Sequence, residues 1–71
     1  MNKINPGKLL NSKWTAANPV NDEKHFLVTK LEFDKQDMVV LCLIEAVVSK
    51  RSSAIEWKDL ENSDKWIQGW K

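Results

Sequence analysis

The sequence predicts a small α+β domain: a three-stranded antiparallel β-meander, crossed by an extended N-terminal arm and closed by a short C-terminal helical segment. Three observations carry this. Leu27, Leu31 and Phe33 recur at even spacing around Thr29, with Lys30 and Glu32 between them, the period of two of a half-buried strand. Val39, Val40, Ile44, Val47 and Val48 make the next stretch dense in β-branched residues, which favour strands. The tail from Trp57 to Trp70 is helix-like in composition, whereas Met38 to Arg51, which could also be a buried helix, is assigned to strand on its β-branched density. A small all-β, barrel-like fold is the alternative, because a strongly bent second strand can serve both sides of a barrel.

The elements follow in order, in one domain spanning residues 1–71. Residues 1–23 read as the arm. Asn5-Pro6-Gly7 suits a type II turn, Pro19 pushes Asn18 away from helical dihedrals, and Leu9, Leu10 and Trp14 are the expected anchors. Residues 24–57 hold the meander. His25 to Phe33 is the first strand, Asp34-Lys35-Gln36-Asp37 a hairpin connection, and Met38 to Arg51 a long second strand bent near Glu45-Ala46. Ser52-Ser53 turns the chain into a third strand over Ala54-Ile55-Glu56-Trp57. Residues 58–71 form the helical tail. Trp57, Leu60, Trp66 and Trp70 do not share one helical stripe, so two short turns are expected, the second capped by Asn62, Ser63 or Asp64.

Composition narrows the function. Eleven basic and ten acidic side chains leave a net charge of +1, so no whole-molecule field draws in nucleic acid or an anionic membrane. The distribution is uneven: residues 1–31 are basic, residues 32–49 acidic, and residues 50–71 slightly basic. Cys42 is the only cysteine, so no internal disulfide forms and a reducing cytoplasm is the expected location. The longest apolar run, Met38 to Ile44, is too short to span a bilayer, and no membrane partner is expected.

Catalytic chemistry finds little to stand on. His25 is the only histidine, and neither it nor Cys42 sits at a metal-ligand spacing, so both read as structural and no cofactor is expected. Asp34 with Asp37, and Asp59 with Glu61, lack the apolar flanks that would separate their proton affinities. Gly7 and Gly69 are the only glycines, too few for a phosphate-binding loop. Basic residues do recur beside aromatics, in Lys13-Trp14, Lys24-His25-Phe26, Lys65-Trp66 and Trp70-Lys71, with Lys50-Arg51 near them. An exposed indole can stack on a base while a neighbouring cation contacts phosphate.

The stretches Asn5-Pro6, Lys8-Leu9-Leu10, Ser12-Lys13-Trp14-Thr15-Ala16, Glu23-Lys24-His25-Phe26, Glu45-Ala46-Val47, Lys50-Arg51-Ser52 and Trp66-Ile67-Gln68-Gly69-Trp70-Lys71 resemble the bacterial tryptophan-rich conserved hypothetical proteins. The likeness runs over nearly the whole chain, with Ser53 to Glu56 outside it. It implies a free-standing bacterial cytoplasmic protein, complete as it stands, with no assigned activity, substrate or cofactor.

The expected function is therefore non-catalytic recognition of another macromolecule. Nucleic acid is the first candidate, on a surface of Lys13, Trp14, Lys24, His25, Lys50 and Arg51. A protein-interaction module or homodimer is the alternative, and a small enzyme or accessory subunit the third reading.

Overall fold

The segment expected to be an extended arm holds the first strand. In the computed structural model, which describes residues 1–71, β1 spans Lys13–Val20 and β2 spans Glu23–Phe33. Asn21 and Asp22 between them lie at φ 54° and 61°, the two left-handed positions that a two-residue type I′ hairpin demands and that Asn and Asp tolerate. Pro19 has no amide to give a ladder, and the β1–β2 register shifts between Thr15 and Val20.

The remaining strands are β3 (Val39–Ala46), β4 (Ser52–Ala54) and β5 (Trp66–Gln68), and short 3-10 turns occupy Pro6–Lys8 and Trp57–Glu61. All pairings are antiparallel, in the order β4-β3-β2-β1-β5. The α+β expectation is thereby overturned: the molecule is one five-stranded antiparallel sheet with two 3-10 turns and no α-helix. The tail is not helical because Trp66, Ile67 and Gln68 pair with Ala16, Thr15 and Trp14, so a partner some fifty residues away overrides local composition. The expected order survives as β2-β3-β4 inside this larger sheet, but the third strand is not Ala54 to Trp57: Ser52 and Ser53, expected as a turn, pair with Glu45 and Ile44, and Trp57 opens a 3-10 turn. A closed barrel does not form, since β4 and β5 are both edges.

Two further corrections concern the expected strands. The stretch Met38 to Arg51 is not one long strand. It leaves the sheet after Ala46 in a turn where Lys50 takes φ 63° and donates its amide to Ala46 O. In β2 the even spacing of Leu27 and Leu31 is interrupted by a bulge. Val28 pairs with Ile44 and Lys30 with Leu43, leaving Thr29 extra, so Leu27 and Leu31 fall on opposite faces. The β2–β3 connection is as its residues suggest: the Asp34 carboxylate accepts from the amides of Gln36 and Met38.

One face of the sheet carries the core. Trp14, Val28, Cys42 and Ile44 are buried there with Leu9 from the arm and Leu60 from the second 3-10 turn, flanked by Ile4, Phe26, Leu31, Trp57 and Trp66. The arm is tied down at both ends. Asn11 N–H donates to Val28 O at 2.8 Å, and the Asn2 side chain donates to Leu60 O and Trp66 O at 2.8 Å each. The molecule is only 15 Å thick along its shortest axis, a sheet plus a single covering layer.

Trp14 is the largest fully buried side chain at 2% exposure, and its indole N–H is satisfied by Ser12 Oγ at 2.8 Å. Trp14→Ala therefore leaves a large void in a thin core and should cost about 3–5 kcal/mol. Urea denaturation checks this: the expected result is a variant largely unfolded at 25 °C, and a wild-type midpoint would remove Trp14 from its anchoring role.

Candidate functional site

Adjacent residues of a strand point to opposite faces, so Trp14 facing the core sends Lys13 and Thr15 to the other side. His25 pairs directly with Thr15 and shares that second face. Here the chain doubles back beyond β5. Gly69 takes φ 83°, a conformation L side chains rarely adopt, and donates its amide to Lys13 O at 2.8 Å. The buried Thr15 hydroxyl donates to Gly69 O at 2.7 Å and accepts from Lys71 N at 2.9 Å, pinning the segment across β1.

That latch positions an indole. Trp70 Nε1 donates to Phe26 O at 2.9 Å, the Lys13 ammonium sits 4.8 Å from its ring centroid, and the His25 ring lies 5.9 Å away at a 39° tilt. Because Lys71 O can only accept, the 3.0 Å contact from His25 Nε2 places the proton on that nitrogen. Trp70 is 43% exposed, the only one of the four tryptophans so open. The result is a fixed aromatic surface with the Lys13 ammonium over its ring and the His25 imidazole beside it.

The six residues singled out from sequence divide into three sets. Lys13 and His25 meet at Trp70. Trp14 is sealed in the core on the opposite face, so its ring offers no surface for stacking. Arg51 contacts the Glu23 carboxylate at 3.8 Å, and Ser49 donates its hydroxyl to the same group. These contacts, with Val47 N–H donating to His25 O, hold the loop bearing Lys50 and Arg51 against the start of β2, where Lys24 lies exposed. Sequence reasoning missed Trp70 because it assigned residues 58–71 to a helical tail. The adjacency Trp70-Lys71 was the available signal.

The core face carries a second feature, an open cleft of about 350 Å³. Phe26, Ile44, Ile55 and Trp66 form its apolar lining, with Glu23 and Lys65 at its polar rim, and Phe26 meets Trp66 edge-on at 5.2 Å. Glu23 is only 8% exposed and already engaged by Ser49 and Arg51, so it is a structural carboxylate of the β3–β4 turn.

Cys42 pairs with Leu31 on the core face, opposite the face of His25, so the imidazole cannot align on the thiol. Burial raises the proton affinity of Cys42 above that of an ordinary thiol. No three His, Cys, Asp or Glu side chains converge as metal ligands would. No helix is long and apolar enough to cross a membrane.

Residues 12–71 match the family model described as Tryptophan-rich protein (DUF2389), and the chain belongs to that family, whose function is unknown. No curated protein and no solved structure matches the chain.

Two tests follow from this geometry. Thr15→Val keeps the side-chain shape but strips Gly69 O and Lys71 N of their partner, so it should cost about 1–3 kcal/mol in urea denaturation and alter the near-UV signal of Trp70. A negligible loss, or an unchanged Trp70 signal, would contradict the latch. Cys42, buried and held protonated, should resist a disulfide thiol reagent for many minutes at pH 8 and react stoichiometrically in denaturant. Reaction within seconds in the native protein would contradict its core position.

Proposed function

We propose that this member of the tryptophan-rich family is a small non-catalytic binding module that contacts single-stranded nucleic acid through the face bearing Trp70, Lys13, His25 and Lys71. The observation that carries this reading is the immobilised indole. Trp70 is locked by hydrogen bonds at its own ring and on both sides of its backbone, yet leaves much of its surface open. A platform fixed in advance loses little conformational entropy when a base stacks on it, and such stacking is worth about 1–3 kcal/mol per base. Lys13 and Lys71 supply charge for the phosphates on either side of that base.

Lys24 and Lys50, exposed and without an ion-pair partner in the chain, stand near the start of β2, where they add local positive charge without touching Trp70. Arg51 contributes less, since Glu23 already compensates its charge. With the whole chain near neutral, the attraction is local and ordinary salt weakens it. The lone, buried cysteine fits a reducing cytoplasm.

Fluorescence polarisation with a short labelled single-stranded DNA or RNA tests the reading. At low salt the wild type should bind with Kd tighter than about 1 mM, and the affinity should fall as salt rises. Trp70→Ala should weaken it by about tenfold or more, the loss of one stacked base, and Lys13→Glu should weaken it and flatten the salt dependence. A folded wild type that does not bind at low salt, or a Trp70→Ala variant that binds equally well, would exclude this function.

A further inference from the structure

The two edges of the sheet are finished differently. At β5 the outward backbone groups of Trp66 are both taken: its amide donates to Asn62 O at 2.9 Å and its carbonyl accepts from the Asn2 side chain at 2.8 Å. The β4 edge has no such cover. Arg51 O accepts from Ala46 N, Ile55 N donates to Cys42 O, and Ser53 stands opposite Ile44, so residues 51, 53 and 55 turn their backbone groups toward β3. Ser52 and Ala54 therefore turn theirs outward, and no backbone or side-chain group of the chain meets them there. An unpaired row of this kind is a template for another strand.

We propose that β4 is the interface through which a second copy of this chain pairs, edge to edge and antiparallel, into a two-fold dimer with a continuous ten-stranded sheet. The register follows from the backbone. With Ser53 on the two-fold axis, Ser52 faces Ala54 of the second copy and Ala54 faces Ser52, and each pair exchanges both of its N–H···O bonds. The side chains permit the approach, because Ser52, Ser53 and Ala54 are small and exposed.

Charge selects the same register. Beyond each pair the strand ends, and the turn residue Lys50 of one copy lies at the end of β4 that meets Glu56 of the other, with symmetry repeating this basic-to-acidic approach at the far end. Both side chains are exposed, and neither has an ion-pair partner within its own chain. Shifting the register by two residues moves the Lys50 turn of one copy away from Glu56 of the other and loses this complementarity at both ends. The interface stands apart from Trp70, which lies beyond β1 on the other side of the sheet.

Sedimentation equilibrium of the full chain, from about 10 μM to about 1 mM, tests the pairing. The expected result is a concentration-dependent monomer–dimer equilibrium. Ala54→Pro, which removes an outward amide and leaves the β3–β4 bonds in place, should give monomer at every concentration, with circular dichroism confirming that the sheet persists. Glu56→Lys and Lys50→Glu lie outside the strand and should each weaken dimerisation by about tenfold or more, because like charges then meet twice. Combining Lys50→Glu with Glu56→Lys should restore wild-type association. A wild type that stays monomeric to about 1 mM would overturn the proposal and leave the edge open to a foreign extended peptide. A dimer indifferent to Ala54→Pro, or one that the double variant fails to restore, would place the interface elsewhere.

Discussion

β1 is the strand on which the molecule is assembled, because it alone among the strands pairs with β5 at the far end of the chain. β2 holds one side of it and β5 the other. Its two consecutive residues Trp14 and Thr15 then organise opposite faces. Trp14 fills the core beneath Leu9 and Leu60, while the Thr15 hydroxyl, buried and saturated, fastens Gly69 and Lys71 to the reverse side. In a chain with so little buried apolar area, neither role has a substitute nearby. The exposed indole that defines the candidate surface is thus a consequence of the same two residues that hold the fold.

Electrostatics adds a second constraint, at the junction of β2 with the β3–β4 turn. Glu23 is drawn below the surface and satisfied by Ser49 and Arg51, so the turn is closed by a charge-assisted contact and not by apolar packing. A turn built this way keeps its shape while leaving Lys24 and Lys50 free in solvent. Its basic character is local, and the acidic middle of the chain balances it overall.

What the sequence made legible was what depends on neighbours along the chain. The period of two in β2, the Asp34 turn and the β-branched richness of β3 are local signals, and each corresponds to a strand or turn in the structure. The elements that were misread depend on distant partners. Trp66, Ile67 and Gln68 form a strand only because β1 offers them an edge, and nothing in their composition requires it. β1 itself was obscured by Asn18 and Pro19, which read as loop residues but sit at an irregularity a strand can accommodate. The Thr29 bulge moved Leu27 off the core face, a shift that alternation alone cannot foresee. The candidate site shows the same pattern. Lys13 and His25 were recognisable as residues, but their meeting at Trp70 required the β1–β2 and β1–β5 pairings to be known first.

The latch between Thr15 and Gly69 also sets an order of assembly. These residues are 54 apart in sequence, whereas β1 and β2 close through two residues and β2 and β3 through a short turn. Hairpins form in microseconds, but bringing ends separated by some fifty residues together costs on the order of 3–4 kcal/mol of chain entropy before any contact repays it. By this argument β5 joins last, onto a preformed platform of β1 to β4, and opens first when the native state fluctuates. The amides of Ile67 and Gly69 should then exchange with solvent well before that of Val28, so Trp70 is displayed only once folding has run to its end.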